Sequence, residues 1–366
     1  MKYTAKAGKR RSLFDWKAVL GILLSILLLW YALRNVSFQE VVAEMKRADP
    51  LFYLLSVIAA TVVFPVRAWR WRTLLVPSAP DTTFRSRFAA TTIGFMGNNL
   101  LPARVGEFAR AYAFSRMENI TMVASFGSLV VERLFDAIGV VGLLFIAMSL
   151  PDVPDITKIG GRDLSALATT LAVLVAVAMA LAIALVLFPA RTVAFVEKRV
   201  ARWLPKAIRR PFVDALEAFL SGLTVLRSPV LLTGAMVQTI VLWLLNAVGF
   251  WIAFKAFGID VGFSGALLLQ SVVALAVSIP SGPGFFGPFE AAALFVLTEA
   301  YGVGNDKAIS FAIGFHLGGF VPVTVIGLFY AWRLGISLRD VEASEEAVET
   351  AVERVMPHDS SAANAE

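Results

Sequence analysis

Long, almost continuous apolar runs are the feature of this sequence that most limits how it can fold. A helix needs about 20 predominantly apolar residues to cross the hydrocarbon core of a bilayer. Hydrophobic residues make up 58% of the chain and charged residues 16%, compared with about a quarter charged in soluble domains. We therefore predict an all-α polytopic membrane protein with about six spanning helices. The predicted spans are 14–33, 50–71, 121–149, 164–189, 229–254 and 308–332.

Two further apolar stretches, 88–115 and 264–301, are interrupted by proline and glycine. Their apolar arms have about 13–17 residues, or roughly 20–25 Å of helix, which is short for a hydrocarbon core of about 30 Å. Each stretch is therefore predicted to form a re-entrant helical hairpin, which survives at that depth only where protein or a wet cavity surrounds it. The residues that interrupt the helices are Pro102 and Gly106 in the first stretch, and Pro280, Gly282, Pro283, Gly284 and Gly287 in the second.

The basic segments between the apolar runs predict the orientation, because lysine and arginine are enriched in cytoplasmic loops. The N-terminus and the stretches 72–87 and 190–228 are basic. All three are cytoplasmic if each hairpin enters and leaves on one side. Both termini then lie inside, and the hairpins enter from opposite faces. Interrupted segments of opposite orientation are typical of inverted-repeat transporters, so an inverted pseudo-repeat stays open.

The same pattern predicts how the chain is divided. Residues 1–13 form a cytoplasmic N-terminus, 14–335 the transmembrane domain, and 336–366 an acidic cytoplasmic tail that is partly disordered. The basic loop 190–228 is partly amphipathic. It is interpreted either as a segment that lies on an anionic inner leaflet or as a solvated loop that only sets the topology.

Composition argues against several chemistries. The chain has no cysteine, which excludes disulfides and thiolate metal sites, and its two histidines, His316 and His358, leave little for a zinc site or a catalytic triad. The segment GPGFFG lacks the Lys-Ser/Thr of a nucleotide phosphate loop. We predict no catalytic residue, no cofactor, no metal site and no nucleic-acid partner. His316 is expected to be a packed histidine rather than a proton relay.

Charged residues inside apolar segments are the candidates for function, since each costs at least about 2.5–3.5 kcal/mol at the bilayer centre. Arg67 and Arg70 in RAWRWR are three residues apart and share a helix face. We interpret Arg70 and Arg72 as interfacial anchors within an aromatic belt. Arg67 lies deeper, next to Pro65, and is a candidate binding residue.

The segment NNLLPARVGEFAR carries the second group of candidates. Asn98 and Asn99 can bridge donors and acceptors at a helix break. Arg104 offers a planar fork suited to phosphate. Glu107 falls near the start of the returning helix, where a carboxylate complements the dipole, and Arg110 lies on the same face. The alternative is that the charged residues at this helix break form salt bridges only with each other and bind no ligand.

Glu132 and Asp136 are four residues apart on one helix face, so a cation is expected between them. Arg133 is adjacent in sequence and is expected to point elsewhere. In the second broken segment, Pro288 suits the first turn of a helix, and Glu290 is expected to help balance the arginines. The partners of Glu132 and Asp136 are expected to come from Arg67, Arg104 or Arg110. The full set of predicted substrate-binding residues is Arg67, Asn98, Asn99, Arg104, Glu107, Arg110, Glu132, Arg133, Asp136 and Glu290.

In their order and spacing, RAWRW, GNNLLPARVGEFAR, the ER..D segment and P.GPG..G..E resemble the transmembrane region of lysylphosphatidylglycerol synthases. That group includes stand-alone, flippase-like membrane proteins, and the resemblance covers about 14–335. It implies a lipid translocase without the separate aminoacyl-transferase domain of the two-domain synthases. GPGFFGPFE departs from the commoner GG-G-E pattern, although Gly284 and Gly287 keep the backbone permissive. An archaeal branch linked to dolichol-phosphate sugars leaves the lipid open.

We therefore predict a flippase-like translocase in the cytoplasmic membrane that takes an anionic phospholipid or a lipid-linked phosphate, with a homo-oligomer left open. The alternative is a membrane glycosyl- or acyl-transferase that acts on a lipid-linked phosphate, with Glu132 and Asp136 as its acidic pair. A third hypothesis is a scaffold whose charges are purely structural. An enzyme is the less favoured class because neither a transferase domain nor a nucleotide motif is apparent.

Overall fold

The computed structural model describes residues 16–102, 104–154, 158–159, 162–199 and 206–342. The predicted N-terminal segment 1–13 and most of the acidic tail lie outside these residues. The helices are α1 (Trp16–Leu33), α2 (Phe38–Arg47), α3 (Pro50–Leu75), α4 (Phe84–Leu100), α5 (Gly106–Met117), α6 (Met122–Ser149), α7 (Leu164–Leu187), α8 (Pro189–Arg199), α9 (Lys206–Gly222), α10 (Pro229–Ala256), α11 (Phe263–Ala276), α12 (Pro288–Phe295), α13 (Asn305–Leu334) and α14 (Leu338–Glu342). Short 3₁₀ turns span Thr224–Arg227 and Pro283–Phe285, a π turn spans Val296–Ala300, and β1 (Lys158–Ile159) pairs with β2 (Arg162–Asp163).

The all-α polytopic architecture is confirmed. Within the described residues, α3, α10 and α13 are long and apolar enough to cross a membrane, and α1 with α2, bent by 79°, would add a fourth span. This count is lower than the predicted six, and the difference lies in α6 and α7. Helix α6 has 28 residues but carries charged side chains in its middle, and the side chains of α7 are only partly described.

The long helices begin at polar caps followed by proline or an apolar run. The Asp49 carboxylate accepts hydrogen bonds from the backbone N–H groups of Leu51 and Phe52, and Pro50 opens α3 with its fixed φ. Ser228 and Pro229 open α10 in the same way. These starts fix where each apolar run enters the bundle.

Two apolar clusters form the core. One surrounds Phe250, Phe254 and Phe311, where α10 packs on α13 and α11. The other surrounds Trp71 and Phe114, where α3 meets α5 and α6. The polar residues that are candidates for function lie among the helices that build these two clusters.

Both interrupted segments fold as antiparallel helical hairpins, as predicted. Helices α4 and α5 pack so closely that a Cβ on Gly106 would overlap the carbonyl oxygen of Gly94. Helices α11 and α12 form the second hairpin, with Gly284 (φ 67°) and Gly287 (φ 100°) in its break. A positive φ is readily adopted only by glycine, which explains why the break is glycine-rich.

Helix α13 supports both hairpins from opposite ends. Phe88, near the start of α4, packs on Tyr330 near the end of α13, with ring centroids 5.9 Å apart. The second hairpin leads directly into the start of α13 at Asn305, and its break reaches the middle of that helix, where His316 Nε2 lies 2.9 Å from the Gly284 carbonyl oxygen. The hairpins therefore approach each other along α13, and their tips meet midway.

An internal proline separates the two parts of α13 that hold these hairpins. Pro322 follows His316 in the chain, while Asn99 at the end of α4 donates to Thr324 Oγ1 at 2.8 Å on the other side of the proline. Because proline has no N–H, the Gly318 carbonyl lacks the usual helical donor.

The predicted connecting segment 190–228 is mostly helical where it is described. Helices α8 and α9 and the 3₁₀ turn occupy it, and Leu220, Leu223 and Leu226 are buried against the rest of the protein. Apolar residues that recur on one face favour a helix over a loop. At the C-terminal end, Val341 of the short helix α14 is fully buried against the first hairpin.

Candidate functional site

Two carboxylates on α6 lie at the centre of a buried cluster of charges. Glu132 is completely buried and Asp136 is 6% exposed. Arg110 of α5 donates to both oxygens of Glu132, at 2.8 and 3.0 Å, in the bidentate geometry that suits a guanidinium. Asp136 Oδ1 accepts from Arg70 Nη1 at 2.6 Å and from Trp243 Nε1 at 3.2 Å. Helix α6 is thereby tied to α3, α5 and α10.

Arg67 and Arg133 complete the set of cations around the two carboxylates. Arg67 Nη1 lies 3.3 Å from Asp136 Oδ2, as the sequence predicted. Arg133 Nη2 lies 2.6 Å from Glu132 Oε1, and Nη1 lies 3.8 Å from Glu107 Oε1. The prediction that Arg133 points away is wrong, because its long side chain folds back along the helix. With a side chain 38% exposed, Arg133 marks the open edge of the cluster.

Arg70 is not an interfacial anchor. Its side chain is fully buried, and Nη1 also donates to Thr239 Oγ1 at 2.9 Å. Arg70 is buried because it shares a helix face with Arg67, and α6 and α10 cover that face of α3. Arg72 is exposed, in keeping with the anchoring role predicted for it.

Aromatic rings line the cluster. The Arg110 guanidinium carbon lies 4.0 Å from the centroid of the Trp71 ring, and Trp71 Nε1 donates to Ser128 Oγ at 3.0 Å. Arg67 lies 5.3 Å from the ring of Phe95 and 5.8 Å from that of Trp243. These rings exclude water and stabilise the cations through their π faces.

Arg104 does not reach the α6 carboxylates, contrary to the prediction. It lies at the tip of the first hairpin with φ 58°, a conformation that costs a non-glycine residue of order 1–3 kcal/mol. Its Nη2 donates to the carbonyl oxygen of Val277, and its guanidinium lies 5.4 Å from the Phe285 ring, so it connects the two hairpin tips. Within the residues described, no carboxylate oxygen lies within 4.0 Å of it.

Asn98 and Glu107 hold the first hairpin as expected, whereas Asn99 has partners outside it. Asn98 Oδ1 accepts from the Gly106 N–H at 2.9 Å and so bridges the break. Asn99 instead bonds α13, through Thr324. Glu107 lies in the first turn of α5, where it complements the helix dipole.

Glu290 does not balance the arginines, which corrects the prediction. Its Oε2 accepts from the Gly287 N–H at 2.7 Å, and its Oε1 lies 2.6 Å from His316 Nδ1. The His316 ring lies against Phe286 and Phe289, at 4.5 and 4.3 Å between centroids. His316 was not among the predicted site residues. The sequence feature that could have identified it is a histidine flanked by glycines on an apolar helix.

The cluster carries more positive than negative charge. Four arginines (Arg67, Arg70, Arg110 and Arg133) accompany three carboxylates (Glu107, Glu132 and Asp136), which leaves a formal excess of one positive charge, and Arg104 lies apart from them at the hairpin tip. The Nε atom of every one of these arginines is buried without a hydrogen-bond partner. The arrangement can therefore accept an anion rich in oxygen atoms. No group of three side chains that could hold a metal ion occurs in the part of the chain that is described.

Comparison with known proteins gives a consistent family assignment. Residues 18–327 match the sequence model of the family described as lysylphosphatidylglycerol synthase TM region. The chain is 26% identical over 352 residues to Glycosyltransferase AglD of Haloferax volcanii, which covers 90% of this chain but only 56%, about half, of that relative. It is 23% identical over 312 residues to a UPF0104 membrane protein of Methanothermobacter thermautotrophicus, covering 84% of this chain and 91% of the relative. The protein is thus an integral multi-pass membrane protein that belongs to the lysylphosphatidylglycerol synthase TM region family.

Proposed function

We propose that the protein is a flippase-like translocase that moves the anionic headgroup of a phospholipid or a lipid-linked phosphate across the bilayer. The observation that carries this proposal is the excess of arginine over carboxylate in a cluster built from α3, α5 and α6. Unpaired charge in an apolar surrounding is costly, and a phosphate bound there would neutralise it.

The position of each arginine supports a path for the headgroup. Arg133 is partly exposed and adjoins Glu107 and Glu132, so an anion that arrives from outside the cluster meets this guanidinium first. Arg67 is shielded by Phe95 and Trp243 and would receive the anion at a deeper point. If a phosphate oxygen replaces a carboxylate as the partner of either arginine, the charge of that arginine stays compensated while the headgroup moves.

Arg104 would couple the anion to the hairpins. Its bond to the Val277 carbonyl joins the two tips, while its Nε has no partner. A phosphate that competes for this guanidinium would release Val277 and let the tips separate. Alternating between the two arrangements would expose the headgroup to one leaflet and then to the other.

The test is dithionite quenching of headgroup-labelled phosphatidylglycerol in liposomes that contain the purified protein. Quenching beyond the outer-leaflet fraction is expected for the wild type and is expected to be lost in Arg104→Ala. Arg116→Ala is the matched control, since Arg116 is exposed at the end of α5 in the same hairpin and, among the described residues, bonds Tyr112. Arg104→Lys tests the planar fork at constant charge.

Two outcomes would count against the assignment. Quenching that stops at the outer-leaflet fraction for the wild type removes phosphatidylglycerol as substrate, and the same assay with a labelled polyprenyl phosphate then decides whether any lipid phosphate moves. Wild-type rates in Arg104→Ala, with correct insertion, would remove Arg104 from the site.

A second candidate function is a membrane glycosyl- or acyl-transferase that acts on a lipid-linked phosphate. The likeness to Glycosyltransferase AglD favours it, although the chain aligns with 56% of that protein. Glu132 and Asp136 would have to supply the acid chemistry, yet arginines hold both. Formation of a glycosylated lipid by the purified protein from an activated sugar and a polyprenyl phosphate would establish this alternative.

We further place the protein in the cytoplasmic membrane with both termini inside, on the grounds of its basic segments. Because the chain has no cysteine, a single introduced cysteine can be labelled selectively. Ser337→Cys, at the exposed end of α13, is expected to resist an impermeant thiol reagent in intact cells. Asn35→Cys, in the exposed turn after α1, is expected to react. The reverse pattern would invert the topology.

A further inference from the structure

A second polar site lies apart from the arginines, where the second hairpin meets α13. His316 bridges two points of that hairpin: Nε2 lies 2.9 Å from the Gly284 carbonyl oxygen and Nδ1 lies 2.6 Å from Glu290 Oε1. Glu290 is fully buried, and its other oxygen accepts from the Gly287 N–H at 2.7 Å. One imidazole and one carboxylate thus hold the break closed.

The hydrogen bonds fix how many protons this pair carries. A carbonyl oxygen only accepts, so Nε2 must bear a proton. One further proton must lie between Nδ1 and Glu290 Oε1, and the pair is then neutral overall. If this proton leaves, the Nδ1 lone pair faces a carboxylate and the two repel. If another proton arrives, it has no acceptor within the pair. The closed conformation therefore requires one exchangeable proton.

Among the described residues, His316 and Glu290 contact each other at ion-pair distance, and no other charged side chain lies within 4.0 Å of either. The titratable side chain that approaches the same stretch of α13 from α3 is Tyr53, whose hydroxyl donates to the Gly314 carbonyl at 3.0 Å. Helix α4 contributes Asn99, which bonds Phe320 and Thr324, and α1 contributes Ser25, which bonds the Gly282 N–H. The α10 side chain facing Phe289 is the apolar Phe250. Proton exchange at His316 and Glu290 is therefore not offset by a neighbouring ion pair.

A short series of contacts joins this site to Arg104 at the tip of the first hairpin. Gly284, whose carbonyl His316 holds, is followed by Phe285, and both have positive φ, 67° and 62°. The Phe285 ring faces the Arg104 guanidinium at 5.4 Å. The strained Phe285 keeps this position only while its neighbours hold the break, so release of Gly284 would withdraw the ring from Arg104.

We infer that His316 and Glu290 form a proton-binding site whose occupancy sets the conformation of the second hairpin and, through Phe285, the position of Arg104. Coupling to lipid movement rests on the proposed function. The proton passes from between Nδ1 and Oε1 to water, which leaves the pair with one negative charge; α12 then separates from α13, and Arg104 loses its ring contact. Uptake of the proton restores the closed break. One proton would then accompany each anionic headgroup, which makes the transported charge neutral for a singly charged lipid.

The proton site can be tested without any transport. The chain has two histidines, so His358→Asn leaves His316 as a single ¹⁵N-labelled ring. The NMR spectrum is expected to show protonated Nε2 and a short hydrogen bond at Nδ1 that disappears in Glu290→Gln. A ring with bare Nε2, or one that is unaffected by Glu290→Gln, would overturn the site.

The coupling is tested with a gradient of one pH unit across proteoliposomes that contain labelled phosphatidylglycerol. With one proton per lipid, the leaflet ratio is expected to approach about tenfold, whereas an uncoupled protein equalises the leaflets. Glu290→Gln keeps an acceptor for the Gly287 N–H but cannot release a proton, so its ratio is expected to be one. Tyr53→Phe is the matched control and should keep the wild-type ratio.

The outcomes separate the two proposals. A wild type that moves lipid but ignores the gradient retains the translocase and overturns the coupling. A wild type that moves no lipid refutes the proposed function on this substrate, and the NMR result alone then decides the proton site. A Glu290→Gln variant that still responds to the gradient also overturns the coupling.

Discussion

Glu132→Gln is the substitution that most directly tests the buried cluster. The change keeps the size and one acceptor oxygen but removes a charge that three arginines share. Arg110 Nη1, Arg133 Nη2 and Arg70 Nη2 lie 2.8, 2.6 and 3.4 Å from Glu132 Oε1. Arg70 and Arg133 would then depend on Asp136 and Glu107 for compensation, whereas Arg110 would lose the ion pair that the described residues give it.

The expected cost follows from the burial of the pair. Removing one partner of a buried ion pair costs about 3–5 kcal/mol, because the remaining charge stays desolvated. Glu132 is fully buried and serves more than one cation, so we expect about 4 kcal/mol in the free energy of unfolding. The double variant Arg110→Gln/Glu132→Gln should cost less than the sum of the single variants by about 2 kcal/mol, since the two residues contact each other directly.

Unfolding in mixed micelles titrated with sodium dodecyl sulfate, followed by tryptophan fluorescence, measures these free energies. Glu299→Gln is the control, because this glutamate is exposed and should change the free energy by no more than about 0.5 kcal/mol. A Glu132→Gln variant within about 1 kcal/mol of the wild type would refute the argument that the carboxylate compensates buried charge. Additive single variants would show that Arg110 and Glu132 are not coupled.

The remaining predictions use the same titration. Gly106→Ala should prevent folding or cost more than about 3 kcal/mol, since its Cβ would overlap the Gly94 carbonyl oxygen. Gly142→Ala is the control, because a Cβ there meets nothing within 4 Å, and it should be neutral or stabilise by up to about 1 kcal/mol. Equal stability of the two variants would contradict the close contact of α4 and α5. Trp71→Phe should cost about 1–2 kcal/mol, because it loses the hydrogen bond to Ser128 Oγ and weakens the contact with the Arg110 guanidinium; an unchanged midpoint would show that neither contributes.

The hairpins were predictable because local chemistry determines them. Proline removes a helical donor and glycine permits positive φ, so the breaks fall where these residues cluster. Helix α4 ends at Leu100 and α5 begins at Gly106, and α12 begins at Pro288, close to the boundaries expected from the sequence alone. No long-range contact was needed for these inferences.

The partners of the buried charges were only partly predictable. Arg67 and Arg110 do reach the carboxylates of α6, since two acids on one helix face require cations. Arg70 and Arg133 were misjudged because their partners depend on how α3 is rotated in the bundle and on how a flexible guanidinium folds along its own helix. Arg104 was misjudged because its backbone conformation aims it at the other hairpin.

The contact between Glu290 and His316 lay beyond sequence reasoning. The two residues belong to separate helices, and their pairing follows from how the second hairpin docks on α13. Periodicity assigns each residue to a helix but does not give the register between helices. The sequence predicted that Glu290 balances the arginines and that His316 is a packed residue, so nothing in it indicated a contact between the two.

The proline inside α13 affects how a bend in this helix would reach the hairpins. His316 bonds the second hairpin before Pro322, whereas Asn99 of the first hairpin bonds α13 on both sides of the proline, at the Phe320 carbonyl and at Thr324 Oγ1. Internal prolines are the usual places where long helices bend. Because Asn99 bonds α13 on both sides of the proline, a change in the helix angle at Pro322 would alter at least one of these two bonds and so displace the end of α4. The Asn99 side chain would thus transmit bending of α13 to the tip of the first hairpin.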